Sequence, residues 1–80
     1  MDICQRIGWN LRRLRKSCGM TQEDFAAESG FDRGYISGVE RGVRNPSARV
    51  LERIASALGV DAAELLDREK AKFFTEDAQK

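Results

Sequence analysis

Histidine is absent and cysteine occurs only twice in these 80 residues. Cys and His are the usual zinc ligands, so one chain cannot assemble a zinc set from them. The chain also lacks a nucleophile elbow and a phosphate-cradling glycine loop. No enzyme, metal or cofactor is therefore expected. Long apolar runs are missing too: none approaches the ~18 residues of a membrane span, and no secretory signal is present. A soluble, cytoplasmic protein is expected, with no membrane contact and no small-molecule ligand. Cys4 and Cys18 fall on one predicted helix, ~21 Å apart at 1.5 Å per residue, beyond the ~7 Å Cα limit for a disulfide. Both lie on or near the apolar stripe of that helix. Buried thiols are expected, with a redox sensor as the lesser alternative.

A strong excess of charge is also missing, since the formal net charge is +1. Its distribution says more. Residues 1–60 hold ten Lys/Arg against seven Asp/Glu, whereas residues 61–80 hold four against six. Any electrostatic attraction to nucleic acid must come from a patch in the first part and not from bulk charge. Eighty residues make one domain near the lower limit for a self-sufficient core, a size that often gains stability by dimerising.

What is present is helical periodicity with clear punctuation. Ile3, Ile7, Leu11, Leu14 and Cys18 form an apolar stripe that predicts a first helix from about Asp2 to Cys18, closed by Gly19. Its other side carries Arg6, Arg13 and Lys16, which are either solvated or reach phosphates, with Trp9 among them needing cover. Val50, Leu51, Ile54, Ala55 and Leu58 predict another helix, Ala48 to Leu58, with Ser47 as N-cap after Pro46 and Gly59 at its end. A last helix opens at Asp61 with a capping box to Glu64. Leu65 and Leu66 cannot both enter so small a core.

Between these helices lies the stretch TQEDFAAESGFDRGYISGVERG, Thr21 to Gly42. Thr21 and Asp24 form a capping box, and Met20 and Phe25 a hydrophobic staple, for a helix from Gln22 to about Ser29. Phe25 and Ala26 face inward. Asp32 caps the next helix, with Phe31 and Ile36 as its staple. Gly30 supplies the turn and Gly42 the end. Two capped helices joined at a glycine describe a helix-turn-helix. On the second, which ends at about Arg41, Ile36 and Val39 point one way, flanked by Tyr35 and Glu40. Arg33, Gly34, Ser37, Gly38 and Arg41 point the other. That face has no aliphatic side chain. Arg can read guanine in the major groove, Ser is a short donor, and Gly lets a backbone approach closely. A merely solvated face has no need of two glycines, each of which costs ~1 kcal/mol against Ala.

The stretch resembles the helix-turn-helix of the Cro and phage-repressor family, and is especially similar to the controller proteins of restriction-modification systems. Arg15, Thr21-Gln22, Ala26, Gly30, Ile36-Ser37, Glu40, Gly42 and Asn45-Pro46-Ser47 carry the likeness, which runs from about Ile7 to Leu66. It implies an all-α, five-helix domain over residues 1–66. Residues 67–80 lie outside the likeness and read as a partly helical or frayed tail. The likeness further implies that Arg15 pairs with Glu40, that Gln22 contacts DNA, and that the loop with Arg44 and Asn45 lies against the DNA backbone. The end of the domain, with Val60, Ala62, Leu65 and Leu66, would supply a two-fold interface.

The expectation is a sequence-specific regulator of transcription that binds double-stranded DNA as a homodimer. Arg33 is the foremost candidate for a base contact and Ser37 the second. Gly34 and Gly38 would permit close approach, and Gln22, Tyr35, Arg41, Arg44 and Asn45 would hold phosphates. Phe73 and Phe74 need cover, from Trp9, from a dimer mate (the favoured choice) or from another protein. The alternative is an antitoxin-like interaction module whose tail binds a partner protein.

Overall fold

The computed structural model describes residues 1–72, so Phe73 and Phe74 lie outside the described residues. The fold is all-α. Helices α1 (Ile3–Ser17), α2 (Gln22–Ser29), α3 (Arg33–Glu40) and α4 (Ala48–Leu58) are followed by a short 3₁₀ helix, Ala62–Leu66. Helical backbone resumes at residues 68–72. No described helix is long and apolar enough to cross a membrane.

Local chemistry fixes the helix starts. Asp2 and Gln5 form a reciprocal capping box on α1. On α2, the Asp24 N–H donates to Thr21 Oγ1 and the Thr21 N–H to Asp24 Oδ2, each at 3.0 Å. The Thr21 N–H, helped by the Thr21 side chain, holds the Asp24 carboxyl below its ordinary value. The stabilisation from this cap is present at neutral pH and is lost as pH falls through that lowered value. Asp32 caps α3 and Ser47 caps α4. Met20 and Phe31, just before two of these caps, pack on the core that holds Phe25 and Ile36.

The core gathers Ile7, Leu11 and Leu14 of α1 with Phe25, Ile36, Val39, Ile54, Ala55, Leu58 and Leu65. The predicted α1 stripe is longer than this core. Ile3 is exposed at one end, and Cys18, beyond the last turn, at the other. Buried thiols are thus not found: Cys18 is exposed, Cys4 is half-exposed, and both are free. The segment after Gly59 also departs from expectation. It winds as 3₁₀, with the Glu64 N–H on the Asp61 carbonyl, and the Asp61 side chain takes the Ala63 N–H instead of that of Glu64. No capping box forms there.

Side chains of α1 hold this 3₁₀ helix by its carbonyls. Buried Asn10 donates to the carbonyls of Leu65 at 3.0 Å and Asp67 at 2.9 Å, while Arg13 reaches the Asn10 Oδ1 and the Glu64 carbonyl. Arg6 reaches the Leu66 carbonyl. These contacts satisfy backbone acceptors that end without partners in a short helix. They also fix which leucine enters: Leu65 is fully buried and Leu66 is exposed.

Gly8 sets the distance between α1 and α3. A Cβ there would stand 2.5 Å from the Val39 carbonyl oxygen and 2.6 Å from that of Glu40. Both are backbone atoms and cannot rotate away. Helix propensity alone would make Gly8→Ala stabilising by ~1 kcal/mol. Overpacking costs ~1–3 kcal/mol and takes its upper end against rigid backbone. Gly8→Ala is therefore expected to melt at least about 4 °C below wild type by circular dichroism, and an equal or higher Tm would contradict this packing.

Candidate nucleic-acid interface

The turn into α3 depends on Gly30, whose φ of 78° is a left-handed conformation that costs glycine nothing. It lets the chain reverse and lay α3 across α1 and α2. Ile36 and Val39 are then fully buried, and Arg33, Gly34 and Arg41 are exposed on the outer side. Ser37 is half-buried beside them. The Arg33 Nε lies 3.8 Å from a Glu23 carboxylate oxygen, with side chains 61% and 80% exposed. A pair so exposed is worth little, so Arg33 can leave it for a base edge.

The two glycines of α3 have neighbours within the chain, and the expectation of an open outer face is corrected there. Gly38 is buried, because the loop after α3 returns and lays Arg44 over it. A Cβ on Gly34 would stand 2.9 Å from the Asp32 carboxylate oxygen that caps its own N–H. Gly34 stays exposed, but Gly38 cannot offer its own surface to DNA in this arrangement.

Aromatic and cationic groups form a stack that includes Tyr35 of α3. The Arg53 guanidinium lies 4.1 Å over the Phe31 ring, Phe31 stacks on Tyr35 at 5.4 Å between centroids, and Arg44 lies 5.8 Å over Tyr35. Arg53 also donates to the Ser29 carbonyl. Tyr35 is thus half-buried between a ring and a cation. Arg41, Arg44 and Asn45 are exposed, next to buried Pro46.

Behind this face sits a buried ion pair. Arg15 meets Glu40 in a fork, Nε to Oε2 at 2.6 Å and Nη2 to Oε1 at 3.0 Å, with side chains only 8% and 5% exposed. The remaining Arg15 nitrogen donates to the Met20 carbonyl at 2.7 Å, and Gln22 Nε2 donates to Glu40 Oε1 at 3.1 Å. Bidentate charge-assisted bonds of this kind are both strong and directional. Gln22 therefore has an intramolecular partner at the point where a DNA contact is expected. A carboxamide nitrogen carries two N–H groups, and the bond to Glu40 uses one.

The expected dimer residues are not all on the surface. Leu65 is fully buried in its own chain and cannot touch a partner; Val60 and Ala62 are half-buried on the same core. Leu66 is exposed. Arg6 and Arg13 hold the 3₁₀ helix and are neither simply solvated nor extended outward. Trp9 is half-buried, with the Arg12 guanidinium 5.7 Å over its ring.

Sequence reasoning passed over Asn10, Gly8 and Arg53. Only Asn10 left a signal: it sits three residues after Ile7 and four before Leu14, on the apolar stripe itself.

A helix-turn-helix family model matches residues 11–65. The chain is 47% identical over 66 residues to the uncharacterized HTH-type transcriptional regulator y4dJ of Sinorhizobium fredii, covering 82% of this chain and 86% of that protein. The restriction-modification controller protein C.AhdI from Aeromonas hydrophila has a similar structure, with a TM-score of 0.74 at 44% identity, over 78% of this chain and 94% of that one. The controller protein C.Esp1396I, solved as a tetramer in complex with its natural 35 base-pair operator, matches with a TM-score of 0.74 at 31% identity, over 100% of this chain and 99% of that one.

Removing Arg15 would strand a buried carboxylate, which typically costs ~3–5 kcal/mol. Thermal melts of Arg15→Ala should therefore lie more than about 10 °C below wild type. Melting within a degree or two of wild type would show that the pair does not clamp α1 to α3.

Proposed function

This chain belongs to the helix-turn-helix family of DNA-binding transcriptional regulators, and we propose on that premise that it acts as a homodimer on a near-palindromic operator. The observation that carries the proposal is the outer side of α3 and the loop beyond it. Arg33 and Arg41 at the two ends of the helix, and Arg44 and Asn45 of the loop, are exposed and Ser37 is half-buried, while the inner side of α3 is held by core and ion pair. Arg33, held at the start of α3 by an exposed pair with Glu23 that is worth little, would enter the major groove and bond guanine O6 and N7. Ser37 would make a second, shorter base contact, and exposed Gly34 would leave room for a thymine methyl group. Arg41, Arg44 and Asn45 would hold phosphates, with Gln22 and Tyr35 at the edge, and so fix the register.

So few reading side chains imply that part of the discrimination comes from DNA shape at steps the protein does not touch. A two-fold dimer would space its two α3 helices by about one turn of DNA, ~34 Å. Leu66, with the edges of Val60 and Ala62, supports a dimer contact at the 3₁₀ helix; Leu65 has no part in it. The likeness to restriction-modification controllers suggests autoregulation beside such genes, with dimer concentration as the control.

Selection from a randomised duplex library at two salt concentrations tests this reading. Enrichment of a near-palindrome with half-sites about one turn apart is expected. Arg33→Ala should flatten discrimination among sites by ~1–3 kcal/mol at one position. Arg44→Ala should weaken all duplexes alike and lower the salt slope by about 1. The reverse pattern would overturn the two assignments, and binding without any enriched sequence would overturn the regulator reading.

A further inference from the structure

The end of α3 follows a common double-bond pattern with one substitution in it. The Gly42 N–H bonds to the Val39 carbonyl and the Val43 N–H to the Gly38 carbonyl, each at 3.0 Å. In this motif the apolar side chain two places past the cap usually packs on the residue that accepts the longer bond. Here that residue is Gly38, which has no side chain, and Val43 is 67% exposed. The position over Gly38 is taken by Arg44. A Cβ on Gly38 would stand 2.8 Å from Arg44 Cγ, 3.2 Å from Nε and 3.5 Å from Cδ. The near atom is the base of the side chain, not its mobile tip, so the whole Arg44 side chain would have to change rotamer. Beyond that seat its guanidinium lies over Tyr35, in line with the Phe31 and Arg53 stack.

We infer that Gly38 is a positioning residue for DNA binding, which acts through Arg44 by leaving the seat on which the Arg44 stem lies. The inference rests on the proposed reading of α3 and its loop as the DNA-facing surface. The energetic logic is preorganisation. An arginine on an open loop loses rotamer freedom when it meets a phosphate, whereas one already laid along a helix and a ring loses less. The cost of a glycine inside α3 is then explained without any contact between Gly38 and DNA.

The test is a double-mutant cycle of Gly38→Ala and Arg44→Ala, read on the duplex that wild type enriches, at several salt concentrations, with thermal melts of all four proteins. Gly38→Ala alone should lose about tenfold in affinity and lower the salt slope by about 1, as Arg44→Ala does. In the Arg44→Ala background the same change should alter affinity less than about twofold, leave the slope alone and raise the Tm, since Ala is the better helix former. Equal losses in both backgrounds, or a Gly38→Ala single variant with wild-type affinity and slope, would overturn the inference. Should the single variant fail to fold, the double variant must fold, because the clash is with the Arg44 stem; an unfolded double variant would also overturn it. Failure of wild type to enrich any duplex counts separately, against the DNA-binding reading itself.

Discussion

Every part of the proposed interface depends on the buried fork between Arg15 and Glu40. Glu40 is the last residue of α3, Arg15 lies in the last turn of α1, and the third arm of the guanidinium takes the Met20 carbonyl just before α2. Gln22, the first residue of α2, closes the set from the other side. One charged pair thus fixes three segments that have few apolar side chains to spare. A carboxylate and a guanidinium lose most of their water here, so the gain comes from geometry. The bonds are short, two run in parallel, and no donor-bearing nitrogen of Arg15 is left without an acceptor. The consequence for function is rigidity. A helix that reads base edges must keep its side chains within a fraction of an ångström, and α3, eight residues long, has no length of its own to provide that.

Glycine plays two separate parts in this fold. Gly30 is needed for its backbone angle. Gly8 and Gly38 are needed for the absence of volume: the first admits the terminal carbonyls of α3 against α1, the second admits the stem of Arg44 against α3. Both contacts bear on the same eight residues, one from behind and one from the side. The position of α3 and the aim of Arg44 are set by what these two residues lack.

Much of this was legible in the chain because it is short-range. The Thr21–Asp24 box, the Asp32 and Ser47 caps and the bounds of α2 and α4 follow from residues within four places of one another. The Arg15–Glu40 pair came from family resemblance and not from spacing. What could not be read was long-range. Periodicity shows which face of α1 is apolar but not how far its neighbours extend, and the stripe runs on to Ile3 and Cys18, beyond the ends of the core. A helical wheel gives the direction of Gly38 but not the loop that folds back over it. Five residues after Asp61 are too few to separate a 3₁₀ from an α-helical turn by pattern. Asn10 was visible as a polar residue on an apolar stripe, yet its partners are 55 and 57 residues away.

The most direct measurement of the central claim is a map of backbone amide shifts in isotope-labelled protein titrated with its enriched duplex. The account predicts changes concentrated at the start of α2, along Arg33, Gly34 and Ser37, and through Arg41 to Asn45, with α4 and the 3₁₀ helix nearly silent. Changes centred on α4 or on residues 60–72, with Arg33 to Asn45 unmoved, would contradict it.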